Sequence, residues 1–189
     1  MNGKRVFIGM SAGRELVEAA GAFRRAHEGL QVRWVRPENL HLTLVPPWEC
    51  RDVDPVCCAL EHAVAGQASV EVLFDKVSFG PDQRRPRLIW ATGVPPVALS
   101  ELSWLLQGLP GVEEEHRRRF LLHLTLARFN SSDLRAMASK KLRETVEWRG
   151  LPDAVCLYES ILRPGGAEYV ELFRCTIPGI QKINSSLAK

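Results

Sequence analysis

The tetrapeptide His-Leu-Thr-Leu occurs twice in this chain, at residues 41–44 and at residues 123–126. On a β-strand, residues i and i+2 point to the same face, so each copy places an imidazole beside a hydroxyl and buries its leucines behind them. Histidine is the side chain whose ordinary pKa lies near neutrality, and threonine can donate a hydrogen bond to a phosphate oxygen. Two such strands facing each other would suit acid–base chemistry on a phosphate.

The predicted catalytic set is therefore His41, Thr43, His123 and Thr125. A single His-x-Thr strand is better explained as a hydrogen-bonded polar pair in a core. The exact repetition favours function, because an unpaired buried polar group costs ~1–3 kcal/mol and duplicated core strands have no need to keep one. The sequence contains no HExxH pattern and no carboxylate at ligand spacing from these histidines, so we predict neither a metal nor another cofactor.

The 82-residue offset between the two motifs also aligns other features, which indicates an internal duplication. Residues 5–10 align with residues 87–92 as short buried strands, and each is followed by a helical pattern. The prediction is an α+β fold of two pseudo-symmetric lobes, each a mainly antiparallel sheet with two helices. The predicted repeats span residues 4–81 and 86–164, with helices over 11–27, 54–66, 97–107 and 132–142, strands within 31–45, 70–79, 118–129 and 154–162, and a final strand over 168–177.

Composition places the chain among ordinary globular proteins, with 189 residues, 46% hydrophobic and 25% charged residues. We expect one bilobed domain over residues 1–180 and a polar tail over residues 181–189. No apolar run is long enough to span a membrane, and the five cysteines form no CxxC pair, which favours free thiols and a cytoplasmic protein. The net charge of +3 is mild, but arginines cluster near both motifs and favour a polyanionic ligand.

Paired His-x-Thr motifs are typical of the two-histidine phosphoesterase superfamily. More narrowly, the chain resembles the RNA 2′,3′-cyclic phosphodiesterases, also called 2′–5′ RNA ligase-like proteins, over about residues 4–178. The resemblance implies two lobes with the active site in the cleft between them, and metal-independent opening of an RNA-terminal cyclic phosphate to a 2′-phosphate. By this analogy His41 protonates the departing 3′ oxygen, His123 activates the water, and Thr43 and Thr125 hold the phosphate. The stretches that carry the resemblance are 5–8, 32–44, 85–90, 120–128 and 157–166.

Two positions depart from the family pattern. Leu122 precedes the second histidine where the family commonly has proline, and Pro46 stands where the family often has an aromatic residue that stacks on the base. Trp48 is the candidate to replace that aromatic residue.

Candidate phosphate-binding residues are Arg128, Arg119 and Arg36. The family places an arginine near the phosphate at the position of Arg128, but its odd spacing from His123 requires the strand to end or bulge between them. Arg119 has the matching parity and is the second choice.

The leading hypothesis is an enzyme that acts on RNA or oligonucleotide ends with a cyclic phosphate, including tRNA fragments, as a monomer without membrane association. One alternative is a module that binds RNA ends or nucleotides without turnover. Another is the same chemistry on 2′–5′ linked oligonucleotides. A pure binder has no use for two titratable groups on matched strands, which favours the enzyme.

Overall fold

A computed structural model of the protein describes residues 3–112, 118–136, 141–163 and 166–178. Two antiparallel sheets share one hydrophobic core, with four helices packed around them. The predicted α+β class with two mainly antiparallel sheets is confirmed. The polar tail predicted over residues 181–189 lies outside the described residues.

The elements are β1 (Lys4–Ser11), α1 (Gly13–Ala26), β2 (Arg33–Trp34), β3 (His41–Cys50), α2 (Asp54–Val64), β4 (Val72–Gly80), β5 (Leu88–Thr92), α3 (Val97–Leu106), β6 (His123–Arg128), α4 (Ser131–Ala136), β7 (Arg143–Gly150), β8 (Ala154–Arg163) and β9 (Gly166–Thr176).

The first sheet has the strand order β3-β1-β8-β9, and the second has the order β2-β6-β5-β4-β7. Under the 82-residue offset, β3 corresponds to β6, β1 to β5 and β4 to β8. The equivalent strands therefore occupy equivalent places, but each half of the sequence gives its last strand to the sheet of the other half. The two lobes are thus built from both halves, and neither coincides with residues 4–81 or 86–164.

The strand pairing refines the predicted alignment. Ser11 lies opposite His41, and Thr92 lies opposite His123. Ser11 and Thr92 are 81 residues apart, whereas the two histidines are 82 apart. The alignment of residues 5–10 with 87–92 is therefore one position out, because the loop between the paired strands differs in length between the two halves.

Helix boundaries differ from prediction where no side chain fixes them. The first helix, predicted over 11–27, begins later, because Ser11 ends β1 and α1 starts after Ala12 without a side-chain cap. The second helix, predicted over 54–66, begins at Asp54 and ends at Val64. Pro37 opens a short 3₁₀ turn over Pro37–Asn39, so the predicted strand region 31–45 is divided into β2 and the start of β3.

Strand β7 was not predicted. Its side chains alternate between exposed and partly buried along the strand, which is the period expected of a half-buried strand. The apolar residues just before β7 favoured a helix over 132–142, and the alternation that follows them was not recognised as a strand. Helix α1 packs across β7, where Leu16 lies so close to Gly150 that a Cβ at that glycine would meet its side chain at 2.5 Å.

No helix among the described residues is both long and apolar enough to cross a membrane.

Candidate active site

Strands β3 and β6 lie beside each other where the two sheets meet. His41 and Thr43 begin β3, His123 and Thr125 begin β6, and all four side chains are partly buried. The alternating leucines of both strands are almost fully buried in the core, at Leu42, Leu44, Leu124 and Leu126. The burial of these leucines turns each histidine and threonine to the opposite face.

Both histidines are held in the same way by the backbone. The Nδ1–H of His41 donates to the carbonyl of Asn39 at 2.7 Å, and the Nδ1–H of His123 donates to the carbonyl of Leu121 at 2.9 Å. A carbonyl only accepts hydrogen bonds, so each contact assigns the proton to Nδ1 and leaves Nε2 as the titrating atom. In both strands the accepting carbonyl lies two residues before the histidine, so the duplication preserves the tautomer as well as the residue.

The electrostatics of the site favour neutral imidazoles in the free protein. Burial lowers the pKa of His41 to about 4, against the opposing effect of the Asn39 carbonyl, and the nearby charges of His123 and Arg128 lower it further. Burial also lowers the pKa of His123, again with the charge of Arg128 acting in the same direction. The two imidazoles and Arg128 are therefore close enough to interact through their charges.

A β-bulge explains how Arg128 joins this group. Ala127 lies opposite Ile89, but Thr125 lies opposite Trp90, so Leu126 is an extra residue in β6. The extra residue reverses the parity of the strand and brings Arg128 to the face of His123. Sequence spacing alone places Arg128 on the wrong face; the bulge reconciles its position with the family pattern.

The first motif strand carries an equivalent bulge. Val45 lies opposite Ile8 and Thr43 lies opposite Gly9, which leaves Leu44 as the extra residue. The position that corresponds to Arg128 is Pro46, on the face of His41. The two motif strands therefore share a backbone shape but present different side chains after the bulge.

The cleft beside the motif of β3 contains a cavity of about 410 Å³, which we call the reactive cavity. His41, Thr43 and Arg128 line it, so the structure brings together residues from both motif strands. Three other arginines also line it: Arg5, Arg33 and Arg163. Arg5 also donates to the hydroxyl of Ser160 at 2.9 Å.

Aromatic rings surround His41. The ring of Phe7 lies 4.8 Å from the imidazole, and that of Tyr169 lies edge-on at 5.0 Å. Tyr158 stacks on Phe7 at 5.0 Å and stands behind it. Tyr169 lies on β9, far from either motif in sequence, so no local signal marked it. This cage explains why burial dominates the pKa of His41.

Two predicted binding residues lie elsewhere. The side chain of Trp48 is 2% exposed and packs in the core, so it cannot stack on a base, and its Nε1 has no hydrogen-bond partner. Arg119 lines a separate groove beside α3. The prediction for Trp48 is wrong because β3 has a second extra residue between Val45 and Trp48, which turns the indole inward, away from the face of His41.

Arg36 lies in a neighbouring cavity of about 440 Å³, which we call the outer cavity. The two cavities share Arg33, Arg128, Arg163 and Tyr169 in their walls. Arg36 is thus close to the reactive cavity but is not part of its lining.

Within the described parts of the chain, no three His, Cys, Asp or Glu side chains form a group that could hold a metal ion.

Known proteins match this chain over different lengths. Residues 8–90 match the family model described as LigT like Phosphoesterase, which includes the first histidine motif. No curated protein sequence gives a significant match.

Solved structures match nearly the whole chain. A protein of Thermus thermophilus, TT0787, is 22% identical over 93% of this chain and 99% of its own, with a TM-score of 0.73. E. coli LigT complexed with 3′-AMP is 22% identical over 93% of this chain and 98% of its own, with a TM-score of 0.70. At this identity these matches establish the shared fold. The first half of the chain is thus similar to the LigT-like phosphoesterases, and the whole chain shares the fold of these solved proteins.

Proposed function

We propose that this protein hydrolyses RNA-terminal 2′,3′-cyclic phosphates to 2′-phosphates, using His41 and His123 as an acid–base pair and no metal ion. The observation that carries the proposal is the matched pair of Nδ1 contacts, which leaves both Nε2 atoms to exchange protons. LigT-like proteins are phosphoesterases, so the superfamily supports an enzyme that acts on phosphodiester bonds. A solved complex of E. coli LigT contains 3′-AMP and another contains phosphate, which supports a ligand with a phosphate at the ribose edge.

The reaction needs one neutral and one protonated imidazole. The neutral Nε2 takes a proton from water as the water oxygen bonds to phosphorus. The protonated Nε2 gives its proton to the 3′ oxygen as the bond between phosphorus and that oxygen breaks. Each proton transfer is typically worth ~10²–10⁴ in rate. By the family resemblance, His123 is the base and His41 the acid.

The lowered pKa values of both histidines have a direct consequence for this mechanism. Without a ligand, neutral forms dominate at pH 7, and the required imidazolium is scarce. A bound phosphate carries negative charge into the cleft and raises the pKa of a nearby imidazole, so substrate binding helps to supply the acid. The larger lowering at His41 means that binding must raise its pKa more if it is to serve as the acid.

The threonines and Arg128 complete the proposed phosphate site. Thr43 and Thr125 stand two residues after the histidines on the same strand faces, about 6.6–6.8 Å away along the strand. Their hydroxyls can donate to non-bridging oxygens. The guanidinium of Arg128, exposed on the same face as His123, can neutralise the charge that builds up as water attacks.

The test is incubation with 2′,3′-cyclic mononucleotides in the presence of EDTA, followed by identification of the product isomer. We expect the 2′-phosphate, with a bell-shaped dependence of kcat/KM on pH whose maximum lies below pH 6.5, because that profile reports the free enzyme. His62→Asn, an exposed helical histidine, is the matched control and should retain full activity.

Three outcomes would overturn the proposal. Binding of RNA ends without turnover would favour a binding module. Cleavage restricted to 2′–5′ linked oligonucleotides would move the same chemistry to another substrate. A 3′-phosphate product would reverse the proposed leaving group.

A further inference from the structure

The wall of the outer cavity contains more positively charged side chains than are required to bind the terminal phosphate in the reactive cavity. Glu168 is the only acidic side chain among its described lining residues, against four arginines: Arg33, Arg36, Arg128 and Arg163. Arg163 pairs with Glu168 at 3.3 Å between Nε and Oε2. Within the part of the chain that the structure describes, Arg33, Arg36 and Arg128 make no ion pair. The outer cavity is therefore strongly cationic with little internal compensation.

Arg33 and Arg128 are direct cross-strand neighbours in the pairing of β2 with β6. Like charges directly opposite each other in a sheet are destabilising. The pairing fixes both side chains on the same face, so the guanidinium groups cannot separate by turning to opposite sides of the sheet. An anion between them would offset this repulsion.

The position of Arg33 is also fixed from the other sheet. A Cβ built on Gly166, at the start of β9, would lie 3.5 Å from Nε of Arg33, and Gly166 has a φ of 125°, which favours glycine. The guanidinium of Arg33 therefore lies against the start of β9 and reaches from the second sheet to the first. This contact places it in the walls of both cavities.

We propose that the outer cavity is a second phosphate subsite, which binds an internal phosphodiester of single-stranded RNA while the terminal cyclic phosphate occupies the reactive cavity. The inference rests on the proposed function, and it adds where the next phosphate of the RNA chain is held. Arg36 is the residue specific to this role, because Arg33 and Arg128 also line the reactive cavity. Planar guanidinium groups suit bidentate contacts with phosphate.

The test measures binding, so that it does not depend on turnover. A fluorescent RNA oligonucleotide that ends in a 3′-phosphate is titrated by anisotropy at several salt concentrations, with a mononucleotide 3′-phosphate as competitor. Each phosphate contact in a single strand contributes about 0.7 to the slope of log K against log salt concentration. We expect Arg36→Gln to reduce that slope by about 0.7 and to weaken the oligonucleotide about tenfold more than the mononucleotide. Arg33→Gln should reduce the slope by a similar amount but weaken both ligands, because Arg33 lines both cavities.

Arg149→Gln is the control, because it removes the same charge from β7, at the edge of the second sheet opposite β2. An unchanged slope in both test variants, or equal weakening of both ligands by Arg36→Gln, would overturn the inference. Tighter binding of ATP than of RNA would assign the cavity to free polyphosphates instead and would also overturn it. Failure of cyclic phosphate hydrolysis in the wild-type protein, with the slopes behaving as expected, would instead count against the proposed function alone.

Discussion

The two histidine strands share the His-Leu-Thr-Leu tetrapeptide, the bulge at its last leucine and the Nδ1 contact, but their surroundings differ. Gly9 lies opposite Thr43, and the equivalent position opposite Thr125 is Trp90. The indole of Trp90 contacts His123 edge-on at 5.6 Å, whereas His41 is caged by three rings from β1, β8 and β9. The duplication has thus kept the reacting groups and diversified the walls around them.

This difference bears on the division of labour between the histidines. The cage around His41 removes water and lowers its pKa to about 4, whereas His123 is shifted less. In the free protein a proton therefore goes to His123 first. The family analogy makes His41 the acid, so the order must be reversed by the bound phosphate or the roles must be exchanged.

The largest expected effect comes from replacing the histidines, and a substrate with a different leaving group then distinguishes the acid from the base. His41→Gln and His123→Gln should each reduce kcat for a cyclic nucleotide by ~10²–10⁴, and the double variant should lose little more, because the pair acts as a unit. A nitrophenyl phosphodiester has a leaving group that needs no proton. On this substrate the variant of the acid should recover most of its loss, while the variant of the base should not. Recovery by His123→Gln rather than by His41→Gln would exchange the assignments.

The threonines should show the next largest effect. Thr43→Ala and Thr125→Ala each remove one hydrogen bond to a charged phosphate, worth about 1.5–3 kcal/mol, or roughly tenfold to a hundredfold in kcat/KM. Thr43→Ser and Thr125→Ser retain the hydroxyl and should restore most of the activity. If the serine variants are as impaired as the alanine variants, the threonines act by packing and not by donating to the phosphate.

Gly9→Ala tests whether β3 requires a small residue opposite Thr43, where the equivalent position opposite Thr125 is Trp90. A Cβ at Gly9 would lie 2.9 Å from the carbonyl oxygen of Leu42 and 3.5 Å from Cδ2 of His41, so β3 and its imidazole must shift. We expect about a tenfold loss of kcat, since small misplacements of catalytic groups are costly. Gly21→Ala is the control, because its Cβ would meet only a flexible arginine in helix α1. Equal activity in both variants would show that the position of His41 tolerates this shift.

The smallest effect concerns stability and pH. A histidine whose folded pKa is lowered is protonated more readily when unfolded, so its contribution favours folding above pH 6.5 and is lost as pH falls towards the folded pKa. For His41 this amounts to about 2 kcal/mol of unfolding free energy between pH 7.5 and pH 5. Urea titrations at both pH values should show that His41→Gln loses less stability on acidification than the wild type, and that His123→Gln shows a smaller difference. The same acid sensitivity in all three proteins would contradict the burial of His41.

Much of this site could be predicted from the sequence because strand parity is a local property. The pairing of His41 with Thr43, and of His123 with Thr125, depends only on a period of two within each strand. Arg128 could be placed only conditionally, since a bulge depends on which residues of the partner strand face it. Tyr169 could not be found, because it lies on β9 and reaches the cleft through the pairing of β9 with β8, which leaves no local pattern.

Strand β3 carries the first histidine and is also the outermost strand of its sheet, with Pro46 and Pro47 just beyond the bulge. An outer strand with free amide groups can act as a template for another polypeptide. Proline offers no amide hydrogen, so this stretch cannot extend the sheet into a second molecule. Pro46 and Pro47 therefore protect this edge, beside the cleft, from the addition of a strand from another molecule.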